Sequence, residues 1–340
     1  MKTIRLFVFF ILNVLILDVS VCTVFATAPT TAKILFTSSR GGNYEVYIMN
    51  PDGSEQVNLT QHRANDLNAV WSPTGEEILF VSDREGGIRD LYLMDPSGSN
   101  VRPVFTRKRT SYRDSPTWSP DGKQIAYTHL NWNGVRFHIH VTTLGSQKEE
   151  GIVEGRYPTW SPDGTKIAYM SYIGDTCRVA LIDIHTRRQK HLLPRNATPW
   201  QNHPFWSATG RKIVFSWNKN PLPRLLPGDR FPAVWLDKET IYIVNRDGTD
   251  LRELLNEAGP RAQYPVLSPD EEEVLYTQKI NGRLQIFKLD VNSGTRTQLT
   301  HIGRVFNANF GGDWFDPVYL LSVSPQSQLL SRVWGKIKKK

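Results

Sequence analysis

The sequence predicts an all-β protein, a β-propeller of six four-stranded antiparallel blades. A five-residue core, Trp-Ser-Pro-Asp-Gly or a close variant, recurs along the chain and starts at Trp71, Trp118, Trp160, Trp206 and Leu267. In every copy a β-branched residue follows seven positions later and an aromatic residue nine positions later, as Ile78 and Phe80 follow Trp71. Self-similarity at intervals of 42 to 61 residues indicates a repeat fold. Units of four short strands at this period are typical of propeller blades.

Each strand of a unit can be justified in turn. The Trp ends the first strand, and Ser-Pro-Asp-Gly then makes a tight turn, because Pro presets φ and Gly accepts a left-handed backbone. The second strand carries the apolar-x-aromatic pattern, for example Ile125-Ala-Tyr127. The third strand is a short apolar segment such as Asp90–Met94, and a hairpin such as Ser97-Gly98 leads into the fourth.

The two ends of the repeat region predict how the ring closes. Ile34-Leu-Phe36 matches a second strand but has no Trp turn before it, whereas Phe310 occupies the Trp position of a sixth copy that has no second strand after it. We therefore expect the strand ending at Phe310 to complete blade one, which removes the exposed edges. The predicted propeller spans residues 30–312. Residues 313–340 form a C-terminal extension with a basic end, in which Trp314 and Phe315 are expected to pack across the seam between blades six and one.

The first residues have the pattern of an export signal. Lys2 and Arg5 precede an apolar run over residues 6–17, and cleavage after Ala26 would remove residues 1–26 as a signal peptide. Cys22 is an alternative lipid-attachment site. We expect a periplasmic or secreted protein without a transmembrane span after cleavage, and Cys177 is then left without a disulfide partner.

Composition and charge exclude several classes of protein. The chain is 39% hydrophobic and contains 37 aromatic residues, which argues against disorder. Four lysines among the last five residues account for half of the net charge of +8, so the body of the protein has no basic footprint for nucleic acid.

The sequence contains no recognisable catalytic motif. His-Glu-x-x-His, Gly-x-Ser-x-Gly and phosphate-binding glycine loops are missing from the 340 residues. Asp121, Asp163 and Asp270 share one repeat offset and are interpreted as turn residues. These observations predict a non-catalytic protein with no cofactor and no metal. One alternative stays open: His138 and His140 alternate along one strand and so share a face, and His129 ends the preceding strand, so that the three could hold a metal.

Side chains at equivalent repeat positions predict a binding site. Corresponding positions of six blades form a ring around the axis, and their variety favours contact with a ligand over a purely structural role. The predicted channel-mouth residues lie three or four positions before the Trp: Asn68, Asp114, Ser115, Arg156, Tyr157, Asn202, His203, Gln263, Tyr264 and Asn307. Their aromatic and mixed-charge character suits a protein or peptide, or a carbohydrate, and not a nucleic acid.

Blade five carries a long insertion over residues 217–238. Loops of this length inside a compact domain are commonly functional, and four prolines limit the freedom of this one. Arg224, Arg230, Phe231 and Trp235 are its candidate partner contacts. The alternative is a self-packed loop that caps the channel.

The repeats resemble a known family. Residues 116–127 and 158–169 carry a Pro-x-Trp-Ser-Pro-Asp-Gly pattern followed by Ile-Ala-Tyr, which is similar to the WD-like repeat of TolB-type six-bladed propellers. The resemblance covers residues 30–312 and lacks the N-terminal domain of TolB. It implies an exported, monomeric binding module that recognises a peptide, lipoprotein or other cell-envelope partner at the channel mouth. Alternatives are a carbohydrate-active or metal-dependent lyase using the histidines, since some pectate-degrading lyases resemble this propeller, or a propeller partner of a separate hydrolase.

Overall fold

The computed structural model describes residues 27–106, 112–131, 136–173, 176–224, 230–256, 259–301 and 308–323. These residues form six four-stranded antiparallel sheets, which confirms the predicted fold class. Two short helices accompany them, α1 (Ala233–Leu236) and α2 (Pro317–Val323). The predicted signal peptide and the basic end of the chain lie outside the described residues. No helix within the described part is long and apolar enough to cross a membrane.

The blades follow one another along the chain. Blade one contains β1 (Lys33–Ser38), β2 (Glu45–Met49) and β3 (Val57–Asn58). Blade two contains β4 (Asp66–Trp71), β5 (Ile78–Ser82), β6 (Asp90–Met94) and β7 (Arg102–Pro103). Blade three contains β8 (Tyr112–Trp118), β9 (Gln124–Asn131), β10 (Arg136–Thr143) and β11 (Glu150–Glu154). Blade four contains β12 (Arg156–Trp160), β13 (Lys166–Ile173), β14 (Thr176–Asp183) and β15 (Gln189–His191).

Blade five contains β16 (Gln201–Trp206), β17 (Lys212–Trp217), β18 (Thr240–Asn245) and β19 (Arg252–Glu253). Blade six contains β20 (Ala262–Leu267), β21 (Glu273–Ile280), β22 (Arg283–Asp290) and β23 (Arg296–Gln298). The last strand, β24 (Asn309–Phe315), returns to pair with β1 as the inner strand of blade one.

The repeated sequence core gives each blade the same two features. The apolar-x-aromatic pattern is fully buried between blades, with Ile125 and Tyr127 at zero exposure. In the turn before it, Ser119 donates a hydrogen bond to Asp121 over 2.6 Å, and that carboxylate accepts the amide of Lys123 over 3.1 Å. Asp163 accepts the equivalent bond from Ser161. These aspartates therefore act as turn residues.

The register of the closing strand differs from the predicted one. Trp314 lies opposite Ile34, as Trp71 lies opposite Ile78, so Trp314 and not Phe310 occupies the Trp position of blade one. Phe310 lies opposite Thr37, four residues earlier in the strand. The sequence alignment failed here because no Ser-Pro turn follows the strand to mark its end. The strand also extends beyond residue 312, the predicted limit of the propeller.

The end of β24 packs into both neighbouring seams. Trp314 packs on the cluster that contains Leu275 and Ile286 of blade six, as predicted. Phe315 instead faces blade two, with its ring centroid 5.2 Å from that of Trp71, because successive residues of a strand point to opposite faces. The expectation for Phe315 was therefore wrong. Its ring lies against Gly75, whose backbone has a left-handed φ of +72°.

Candidate binding site at the channel mouth

A bulge at the same place in every inner strand aims one side chain at the axis. The pairing of the inner strands shifts at this point, for example between Asp114 and Thr117. The bulge residue has a φ of 49° to 55° in blades two to six: Asn68, Ser115, Tyr157, His203 and Tyr264. Left-handed backbone is unfavourable for side chains of this size, and bulges are known to redirect side chains at functional sites. The bulge is present in each blade, whereas the residue at the bulge differs from blade to blade.

Blade one fills its bulge with a glycine. Gly311, three residues before Trp314, has a φ of +66° and is the true equivalent of the predicted Asn307. Asn307 lies outside the described residues and follows from the incorrect register of β24. The left-handed backbone explains why glycine is suited to this position.

The six bulge residues line one cavity of about 310 Å³ on the axis. Asp114 and Arg156 also line this cavity, so the structure brings together seven of the predicted mouth residues, with Gly311 in place of Asn307. Leu67 and Phe310 contribute apolar walls beside them. The wide spread of these positions along the chain is what an axial channel in a propeller requires.

An imidazole between two phenol rings crosses the cavity. The His203 ring centroid lies 4.4 Å from that of Tyr157 and 4.1 Å from that of Tyr264. His203 Nδ1 is 3.1 Å from Ser216 Oγ, and this hydroxyl donates to the carbonyl of Asn202 over 3.2 Å. Since the hydroxyl proton can be given to this carbonyl, we assign the ring proton to Nδ1, which makes Nε2 an acceptor.

His203 is neutral and incompletely satisfied. Burial, together with the charges of Arg261 and Arg156, lowers the pKa of this imidazole well below its usual range. Only 9% of the residue is exposed, and its buried Nε2 has no hydrogen-bond partner among the described residues. The cavity wall therefore contains a buried acceptor that the protein itself leaves unused.

Asp114 organises the opposite side of the mouth. One carboxylate oxygen accepts the amide of Asn68 and the backbone N–H of Ser115, each over 2.6 Å. The other accepts Arg89 over 2.8 Å and also the hydroxyl of Tyr112. Ser115 Oγ donates a fifth bond over 3.3 Å, and all five are internal, so the lone pairs of this carboxylate are largely used by the protein itself.

A second cavity of about 400 Å³ adjoins the axis between blades four, five and six. At its edge the buried carboxylate of Glu239 binds Arg261 over 2.7 Å and accepts the side-chain amides of Asn202 and Gln263. Two predicted mouth residues, Asn202 and Gln263, therefore give amide hydrogens to a carboxylate that the sequence analysis had not selected. Both amides are thus bound within the protein, and they stabilise the base of the channel mouth.

Arg156 also lines this second cavity, but unlike Arg261 it is packed between aromatic rings and not against a carboxylate. Its guanidinium carbon is 4.2 Å from the ring centroid of Phe137 and 4.8 Å from that of Tyr157. Its buried Nε has no hydrogen-bond partner among the described residues, whereas the rest of the guanidinium donates to the hydroxyl of Tyr172 and lies in the field of Asp114, which together outweigh its burial and raise the pKa of Arg156. Aromatic faces stabilise the cation, and only part of its hydrogen-bonding edge is used by the protein.

The blade-five insertion is partly self-packed and partly a wall of this cavity. Trp235 is buried, donates its indole N–H to the carbonyl of Pro221 over 2.8 Å and stacks on Phe231. It is therefore not the exposed anchor that was predicted, because α1 turns it inward. Phe231 is half-buried, lies 4.5 Å from the Trp200 ring and lines the cavity. Arg224 and Arg230 are exposed.

The histidines of blade three form a separate cluster. The rings of His129 and His140 stack with centroids 4.2 Å apart and planes 18° apart, and we call them the stacked histidine pair. Glu149, which the sequence analysis missed, lies within 4.8 Å of both. His138 lies opposite His129 across the strand pair but is not part of this group.

This cluster does not fit a shared metal ion as it is arranged. A metal binds in the plane of an imidazole, and two nearly parallel stacked rings cannot both direct a lone pair at one ion. Glu149 already accepts Arg113 and the hydroxyl of Tyr127, and Arg113 adds a positive charge. Burial and the neighbouring His129 lower the pKa of His140 to about 4. The cluster is best described as two stacked, neutral imidazole rings that lie beside the Arg113–Glu149 ion pair.

Comparisons with known proteins agree with the architecture. The family model of the TolB β-propeller domain matches residues 20–157 and 156–314. An uncharacterized protein from Agrobacterium fabrum is 35% identical over 108 residues, which are 29% of this chain and 37% of that protein. The Tol-Pal system protein TolB from Rhizorhabdus wittichii is 41% identical over 81 residues, 24% of this chain and 18% of that protein.

The fold likeness extends much further than these local matches. The crystal structure of TolB from Acinetobacter baumannii superposes with a TM-score of 0.67 at 18% identity, over 83% of this chain and 66% of that one. The matched regions span well under half of the curated relatives' own length. Six closed blades, the repeated turn and the match over most of the sequence lead to one conclusion: the chain belongs to the TolB β-propeller family.

Proposed function

We propose that this protein is an exported, non-catalytic binding module of the cell envelope, periplasmic or secreted, and that it holds a peptide segment of a protein partner at the channel mouth. The observation that carries the proposal is the axial cavity, where six redirected bulge residues converge and the neutral His203 presents an unused acceptor. The name of the Tol-Pal system protein among the relatives and the leader-like first 26 residues support an envelope location.

The chemistry of the mouth favours a peptide over a nucleic acid. Its cations lie among aromatic rings and buried carboxylates, not along a basic groove. An extended peptide offers both amide donors and carbonyl acceptors, and such polar groups can match the mixture of donors and acceptors found here. Aromatic walls supply contact area at low entropic cost.

The contact between Ser216 and His203 beside the cavity is not arranged for catalysis. Ser216 Oγ lies 3.1 Å from His203 Nδ1, but the serine is fully buried and its proton is bound to a backbone carbonyl. A nucleophile must reach its substrate, so this pair serves to fix the imidazole.

The decisive experiment blocks the channel and removes only one weak contact in it, the 3.3 Å hydrogen bond from Ser115 Oγ to Asp114. Tyr157 and Tyr264 show that a tyrosine is compatible with the left-handed bulge, so Ser115→Tyr should fold and fill the cavity. Ser97→Tyr, in an exposed hairpin of blade two, is the matched control. Tagged protein is cross-linked in envelope extract, and the captured proteins are quantified by mass spectrometry.

We expect at least one partner to be captured by the unmodified protein and by Ser97→Tyr, and to be lost from Ser115→Tyr. Equal capture by all three proteins, with thermal unfolding unchanged, would show that the mouth is not the binding surface. Near-ultraviolet circular dichroism verifies that the Ser115→Tyr protein is folded.

A further inference from the structure

The two halves of the mouth differ in how their polar groups are satisfied. On the side of blades two and three, Asp114 accepts five hydrogen bonds from the protein. On the side of blades four to six, three buried atoms of cavity-lining residues have no partner in the described structure: Arg156 Nε, Trp200 Nε1 and His203 Nε2. Buried polar atoms are almost always paired in native proteins, and each exception calls for an explanation.

The unpaired atoms are two donors and one acceptor. Arg156 and Trp200 can only donate, and His203 Nε2 can only accept because Nδ1 holds the ring proton. Neither nearby carboxylate makes a direct ion pair with Arg156, since Asp114 is bound to Arg89 and Glu239 is bound to Arg261. The guanidinium is held between aromatic rings by a hydrogen bond to Tyr172 and by the more distant charge of Asp114, without an ion pair among the described residues.

The missing partner has a definable chemistry. A carboxylate is the group that the planar guanidinium fork binds best, and Arg is preferred over Lys at such sites. An amide N–H next to that carboxylate would supply the donor that His203 Nε2 lacks. Trp200, Tyr172 and Phe231 around the same cavity provide an apolar wall for a side chain of the ligand.

We propose that the cavity at Arg156 is a carboxylate-binding subsite for the peptide that the mouth receives. The carboxylate comes from the free C-terminus of the partner or from an Asp or Glu side chain, and the adjacent amide N–H faces His203. The proposal rests on the function proposed above and names the group that is recognised there.

Small probes test the subsite directly. N-acetyl-L-phenylalanine carries a free carboxylate, an amide N–H and an aromatic ring. The second probe, N-acetyl-L-phenylalanine amide, has an uncharged carboxamide in place of the carboxylate. Acetyl-glutamyl-phenylalanine amide carries a side-chain carboxylate without a free terminus, and galacturonate carries a carboxylate on a sugar. Binding to the full-length protein is measured by isothermal titration calorimetry and by quenching of tryptophan fluorescence.

We expect the acid to bind about tenfold or more tightly than its amide, since a hydrogen bond to a charged group is lost. Arg156→Met removes this preference and Arg156→Lys retains only part of it. Arg246→Met is the matched control, because Arg246 is an exposed arginine in the hairpin after β18, at the end of the strands opposite the mouth. Binding of the glutamyl probe as tightly as the acid would assign the side-chain source, and weaker binding would assign the free terminus.

Equal affinity of acid and amide, or no binding of either up to about 10 mM, overturns the proposal. Binding of galacturonate in preference to both peptide acids overturns it in favour of a sugar ligand. Thermal unfolding of each variant verifies folding. If Ser115→Tyr abolishes partner capture while Arg156→Met leaves both capture and probe affinity unchanged, the mouth function stands and the carboxylate subsite fails.

Discussion

The contact between Phe315 and Gly75 offers a quantitative test of ring closure. A Cβ added at Gly75 would lie 2.2 Å from Cζ of Phe315, far inside van der Waals contact. The equivalent turn glycine of blade three, Gly122, has nearly the same φ, +69°, but the nearest atom to an added Cβ is in Pro73 at 3.9 Å. Alanine therefore has the same unfavourable backbone conformation at both positions. Only at position 75 does its methyl group also clash with a neighbouring side chain.

The expected magnitudes follow from these distances. Placing alanine in a left-handed backbone costs about 1–2 kcal/mol, and this is the whole effect expected for Gly122→Ala. Gly75→Ala must also displace the buried ring of Phe315, which adds about 1–3 kcal/mol of overpacking. The free energy of unfolding is measured by urea denaturation followed by tryptophan fluorescence.

A double-mutant cycle isolates the steric part. Phe315→Ala alone is expected to cost about 3–5 kcal/mol, because it empties a buried site against Trp71. In that background Gly75→Ala should cost no more than Gly122→Ala does. Equal costs for the two glycine substitutions in the unmodified protein, or no coupling with Phe315→Ala, would refute the register of β24.

Three further outcomes are expected. Because the pKa of His203 is lowered in the folded protein, the unfolded chain binds more protons below pH 6.5, so this group should lower the free energy of unfolding by about 1 kcal/mol per pH unit as the pH drops from 6 to 5. His140, whose pKa is lowered to about 4, adds a comparable contribution, so in a urea-midpoint series His203→Gln should reduce the slope by about 1 kcal/mol per pH unit and leave the remainder. Arg113→Met should cost about 3–5 kcal/mol, because it leaves the fully buried Asp90 without its ion pair at 3.0 Å, whereas Arg136→Met in an exposed pair should cost under about 1 kcal/mol by the same denaturation assay. Protein dialysed against Mn²⁺ or Zn²⁺ should retain well below one ion per chain by elemental analysis, since the stacked histidine pair cannot share an ion; stoichiometric metal that depends on those histidines would contradict this interpretation.

The fold could be predicted because its determinants are local and repeated. Trp71, its turn and Ile78 lie within eight residues of sequence, and four further copies repeat the pattern. The repeat failed to fix the register of β24 because its turn is missing there, which moved the predicted ring position from Gly311 to Asn307. A left-handed bulge glycine was the available signal, since Gly311-Gly312 stands beside Trp314.

The site was only partly predictable. Repeat offsets found Tyr157, His203 and Tyr264, whose convergence follows from symmetry. Ser216, which holds the imidazole, lies in the second strand one position after Phe215, where Thr37, Thr128 and Thr277 follow the aromatic residue of other blades, so the repeat offered a signal for it that was not used. Glu239, which holds the amides, stands at the end of the blade-five insertion, and its contacts with Asn202 and Gln263 join segments 37 and 24 residues apart, which periodicity does not encode. The inward position of Trp235 depends in the same way on the path of its loop.

Pairing of β24 with β1 has a consequence for the order of assembly. Lys33 and Phe315 meet across the strand pair although 281 residues separate them along the chain. Five blades can form during synthesis from neighbouring segments, but the N-terminal sheet keeps an open edge until the final strand has emerged from the ribosome. Contacts of such long sequence separation form slowly. In a nascent or truncated chain that lacks β24, the ring is open and the inner edge of β1 is unpaired. We expect chaperones to bind, and proteases to cleave, at this exposed strand edge.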